Sequence, residues 1–173
     1  MITVSKPVFV TRSFHNYFLS ECRGGFQLFG IIVATHGKMS NGLVDAAELI
    51  IGDTENVYAI NLFSGDDVQD LNKEILDTIN KINPENGVVI FTDLFGASPF
   101  NQSTLAVHSL SPDQQENIYV VTGVNLPMLL EAINQKMMNS SVHEAINSIL
   151  ESGKQGLVVW QNNLDESNDD DDF

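Results

Sequence analysis

Three things are scarce in this chain of 173 residues: cysteine, positive charge and uninterrupted apolar sequence. Cys22 is the single cysteine. One thiol can form neither an intrachain disulfide framework nor a cysteine-based metal site, so a reducing, cytoplasmic setting is expected. Lysine and arginine number 8 against 23 aspartates and glutamates, giving a formal net charge of −15. That balance argues against nucleic acid or an anionic membrane as partner and favours a basic protein surface. No apolar run approaches the roughly 20 residues that span a bilayer. The first 25 residues, MITVSKPVFVTRSFHNYFLSECRGG, carry polar and charged side chains through their middle. They therefore lack the continuous apolar region of a secretory signal.

What is present is organised. A 43% hydrophobic chain of this length predicts one core. From residue 26 onward, short β-branched runs alternate with stretches of helical periodicity, the pattern of a parallel sheet covered by helices. The strand candidates are LFGIIVA (28–34), VYAINL (57–62), VVIFT (88–92), NIYVVT (117–122) and GLVVW (156–160). Leu43, Ala46, Ala47, Ile50 and Ile51 share one helix face, with Ser40 as candidate cap and Gly52 as stop. Val68, Leu71, Ile75, Ile79 and Ile82 share another. A third helix opens at SPFN, with Ser98 as cap and Pro99 at the first helical position. A fourth opens at Pro127, and the capping-box spacing of Ser141 and Glu144 marks a fifth. Two successive helices before the last strand relax the crossover rule, so that strand is expected to be antiparallel at an edge or exchanged with another subunit. The expected fold class is thus a three-layer α-β-α sandwich. The domain is expected over 26–161, between an extension at 1–25 and a tail at 162–173 whose run of aspartates predicts disorder.

In an open parallel sheet, ligands gather beyond the carboxyl ends of the strands, where the strand order reverses. The loops ATHGKMS after the first strand and TDLFGASPFN after the third are chemically loaded. With a strand order of 2-1-3-4 they are neighbours, and His36 and Asp93 end adjacent strands. The carboxylate would then hold one imidazole nitrogen and leave the other as a nucleophile. The opening turn of the SPFN helix supplies N–H groups and the positive end of a helix dipole for an anion, with the Ser98 hydroxyl beside them. Gly37 lets backbone approach closely. Nucleophile, orienting carboxylate and anion cradle together suggest a phosphohistidine intermediate. The ATP-holding loop GxxxxGK[ST] is missing, so the phosphoryl group is expected to arrive on another protein, with no cofactor and no metal. Two partners must reach His36 in turn, and an apolar rim including Met39 and Phe95 would serve both.

Three blocks carry a family resemblance over about residues 27–160: GIIVATHG with GL..AAELIIG behind it, GVVIFTDLFGASPFN, and VVTGVNLPMLLEA. Together they resemble the mannose-family IIA component of the bacterial phosphoenolpyruvate-dependent sugar phosphotransferase system. The resemblance implies that His36 accepts a phosphoryl group from phospho-HPr and passes it to a IIB component, which serves sugar uptake through membrane-bound IIC and IID components. It matches His36 to the phosphorylated histidine, Asp93 to the orienting carboxylate, and Thr35, Gly37 and Ser98 to the surroundings of the phosphate. It also implies a four-stranded parallel arrangement with an antiparallel last strand exchanged across a homodimer. Ala97 departs from the pattern, where a second glycine is common. The phosphotransfer subunit of dihydroxyacetone kinase and a regulatory phospho-switch module stand as alternatives.

Overall fold

A computed structural model describes residues 28–52 and 54–161. The extension at 1–25 and the tail at 162–173 lie outside the described residues. Four strands, β1 (Gly30–His36), β2 (Val57–Leu62), β3 (Val88–Thr92) and β4 (Ile118–Thr122), form one sheet in the order β2-β1-β3-β4. All three pairings are parallel. Among the described residues, six α-helices accompany it: α1 (Met39–Ile51), α2 (Val68–Ile82), α3 (Ser98–His108), the single turn α4 (Pro112–Gln115), α5 (Leu126–Met137) and α6 (Val142–Gln155). The order is the one anticipated, whereas the short α4 was not.

The period-two alternation of the strands divides the core into two layers. Ile31, Val33, Val89 and Phe91 face one way and pack with Ala47 of α1, Leu129 and Ala132 of α5, and Ala145 and Ile149 of α6. Ile32, Ala34, Val88 and Ile90 face the other way and pack with Leu71, Ile75 and Ile79 of α2 and Ala106 of α3. Being central and covered on both faces, β1 and β3 are continuously apolar up to their last residues. The helices begin where local chemistry satisfies their free N–H groups. Asp67 accepts from Gln69 N, Asn125 from Met128 N, and Ser141 and Glu144 form the expected capping box. No described helix is long and apolar enough to cross a membrane.

The expected fifth strand is not formed among the described residues of this single chain. Residues 157–160 follow α6 without entering any ladder, and the side chains of Leu157, Val158, Val159 and Trp160 are 78–91% exposed. A β-branched run has strand propensity, but a strand exists only where a neighbouring edge takes up its N–H and C=O groups. Among the described residues, the segment pairs with no such neighbour.

Candidate active site

Parallel pairing brings the carboxyl ends of β1, β2 and β3 to one rim. His36 is the last residue of β1, in register with Leu62, and Asp93 directly follows β3. One oxygen of Asp93, Oδ2, accepts both the His36 main-chain N–H at 2.9 Å and the ring Nδ1 at 2.8 Å. The other, Oδ1, accepts Leu94 N at 2.9 Å. A carboxylate can only accept, so Nδ1 carries the proton and, in the neutral ring, Nε2 keeps its lone pair. The His36 side chain is 46% exposed and that of Asp93 14%, so the ring is accessible while its anchor is sheltered. Partial burial would raise the Asp93 carboxyl. The hydrogen bonds from the His36 main chain and ring outweigh that effect and hold the group below its ordinary value.

The other expected site residues occupy several positions. Ser98 is the first residue of α3 and not its cap; that position belongs to Ala97, whose backbone is extended at φ −82°, ψ 174°. The serine hydroxyl is therefore not committed to the cap. The departure at Ala97 costs no strain, because the left-handed conformation of the loop falls on Gly96, at φ +74°. Asn101 secures this loop by donating from Nδ2 to Gly96 O at 2.9 Å, and Phe100 packs against Phe95 with ring centroids 4.9 Å apart. Gly37 adopts φ +60°, a conformation that favours glycine, and its N–H donates to Leu62 O at 2.8 Å. Its contribution is thus the turn itself. Thr35 lies elsewhere than its assignment implied. Alternation along β1 puts it on the opposite face from His36, fully buried, where Oγ1 accepts Ser40 N at 2.8 Å. It braces the turn from beneath and does not line the crevice. Ser40 likewise is no cap, since α1 begins at Met39 after Lys38. Met39 and Phe95, expected in an apolar rim, are exposed, as are Phe63 and Leu94.

Reasoning from sequence missed two features. One is the second bond of Asp93, to the His36 main chain. The other is Asn61 on β2, which accepts from Ser40 Oγ at 2.5 Å and donates to the Asn41 carboxamide oxygen. The available signal was an amide inside the otherwise apolar run VYAINL.

Residues 30–150 match the EIIA-man family, described as the PTS system fructose IIA component. The chain belongs to this family. Among relatives of this IIA chain, it is 30% identical over 127 residues to the "PTS system mannose-specific EIIAB component" of Escherichia coli (strain K12), a match that covers 73% of this chain and 38% of that protein. The chain therefore spans less than half the length of that relative. It is 25% identical over 138 residues to the "PTS system fructose-specific EIIA component" of Bacillus subtilis (strain 168), covering 80% of this chain and 90% of that one. Among solved structures, phosphotransferase system component EIIA from Streptococcus agalactiae superposes with a TM-score of 0.68 at 29% identity, covering 76% of this chain and 96% of that one.

Proposed function

We propose that this IIA chain is a phosphocarrier, taking a phosphoryl group from phospho-HPr onto His36 and passing it to a IIB component during carbohydrate uptake through IIC and IID. The observation that carries this reading is the state of the His36 ring. Nδ1 is held by Asp93, Nε2 is left as a nucleophile, and the ring stands open to solvent. In the step proposed, the Nε2 lone pair attacks phosphorus in line, a new N–P bond forms, and the N–P bond to the donor histidine breaks. Its electron pair returns to the donor ring, which leaves as neutral imidazole. Each ring keeps the proton on its other nitrogen, so no proton has to move. The positive character that His36 acquires is met by Asp93, and the charge spreading over the equatorial oxygens is met by the α3 N–H groups and Ser98. Gly37 contributes the turn that presents the ring.

The proposal includes the assembly. The exposed segment 157–160 pairs with a second copy, giving a homodimer with an exchanged last strand. The decisive experiment on the chemistry is labelling with phosphoenolpyruvate, enzyme I and HPr. The native chain should take up label and His36→Ala should take up none; persistent labelling of the variant would remove His36 from the mechanism.

A further inference from the structure

A connected set of polar side chains lies behind His36, and the transfer chemistry makes no use of it. Asn61 stands beside Thr35 in the β1–β2 register. Its carboxamide oxygen accepts from Ser40 Oγ at 2.5 Å, and its nitrogen donates to Asn41 Oδ1. Ser40 is fully buried, and its N–H goes to Thr35 Oγ1 at 2.8 Å. α1 has no side-chain cap at Lys38. Its first turn is instead tied to β1 by Thr35 and to β2 by Asn61.

Between those ties and the strand end lie His36, Gly37 and Lys38. The strand end is fixed by Asp93 on His36 N and by Leu62 O on Gly37 N. A turn through a glycine at φ +60° holds one setting only if its far end is fixed as well, because glycine imposes little preference of its own. Hydrogen-bonded side-chain networks in partly buried sites supply that rigidity.

We infer that Asn61 is a positioning residue for His36: by latching Ser40 and Asn41 to β2, it holds the amino end of α1, and with it the Gly37–Met39 turn, where Nδ1 stays on Asp93. Its effect on rate rests on the phosphocarrier proposal; its effect on the imidazole does not. Small misplacement of a reacting group can cost on the order of a hundredfold in rate, so a slackened turn should show in the transfer step.

Three variants test this. Asn61→Leu keeps volume and removes both bonds. Asn61→Asp keeps an acceptor for Ser40, and Asn41 can turn its amide to donate to the new carboxylate. Asn41→Ala cuts only the outer bond, at an exposed residue. The full chain with nitrogen-labelled histidine is read by NMR, the His36 signals being those lost in His36→Ala, and transfer is timed from labelled phospho-HPr. Asn61→Leu should reduce the Nδ1-protonated population of His36 and lower kcat about tenfold, with KM for phospho-HPr changed by less than about twofold. Asn41→Ala should move both in the same direction by less, and Asn61→Asp should restore the native ring signals and most of the kcat. Native signals and kcat in Asn61→Leu, a loss carried by KM alone, or no rescue by Asn61→Asp would each overturn the inference. Should Asn61→Leu fail to fold, unchanged signals and kcat in Asn41→Ala overturn it equally. Should the native chain accept no phosphoryl group, the phosphocarrier proposal fails, and the ring signals alone then decide the role of Asn61.

Discussion

At the scale of single residues, the site depends on one carboxylate oxygen doing two jobs. Asp93 Oδ2 fixes the His36 main chain and its ring together, so the imidazole is set in position and in tautomer at once. Asp93→Asn separates these roles. A carboxamide can donate to Nδ1, which moves the ring proton to Nε2 and removes the attacking lone pair. Transfer to this variant should slow by on the order of a hundredfold or more, measured by rapid quench, while circular dichroism stays native. Unchanged rates would remove Asp93 from the mechanism. The carboxyl also carries a pH signature. Its folded pKa lies below the ordinary 3.8, so the group adds stability above that value and loses it as the pH falls through the folded one. The difference in melting temperature between the native chain and Asp93→Asn should therefore hold from neutral pH down to about pH 5 and shrink in more acidic buffer. The pairing of His36 with Asp93 was legible in the sequence, because strand ends meet wherever the strand order reverses. The place of Thr35 was legible in principle, since alternation puts it opposite His36. Asn61 was not, because its partners lie twenty and twenty-one residues away on a helix whose start was misplaced by two residues.

At the scale of elements, helix starts were read late at both loaded loops, by two residues at Ser40 and by one at Ser98. Ser40 and Ser98 are residue types that cap, but capping needs extended backbone at the residue itself, and the loops put that conformation at Ala97 for α3 while leaving Lys38 before α1. Composition identifies a helix terminus; the loop that arrives there decides which residue occupies it. Close packing between elements sets a further constraint. Gly30 opens β1 beneath the last turn of α2, where a Cβ would run into the Ile82 side chain. Gly30→Ala should destabilise the fold by about 1–3 kcal/mol through overpacking, read by urea unfolding. Because Gly30 sits at the end of β1 away from His36, the folded variant should still accept label at close to the native rate.

At the scale of the whole molecule, two features look outward. The first is the exposed apolar segment Leu157–Trp160. Trp160 is the single tryptophan of the chain, so its fluorescence reports on that segment alone. If a second copy covers it, emission should be blue-shifted in concentrated protein and move to the red on dilution, in step with a fall in mass by light scattering. Truncation after Gly156 should leave a monomer at all concentrations, and a truncated chain that still dimerises would rule out strand exchange as the source. The second feature is charge. A net −15 favours a basic donor surface; on the phosphocarrier proposal, kcat/KM for phospho-HPr should therefore fall as salt rises while kcat changes little.

The sequence by itself determined the alternation of strands and helices and, on the assumed strand order 2-1-3-4, the coming together of His36 and Asp93. These follow from local periodicity and from topological rules that need no coordinates. Only the tertiary structure decided which hydroxyls brace and which remain available, that Gly37 spends its N–H on Leu62, and that Asn61 ties α1 to the sheet. Such assignments are settled by which donors and acceptors become neighbours after the chain has closed, and that is a property of no single segment.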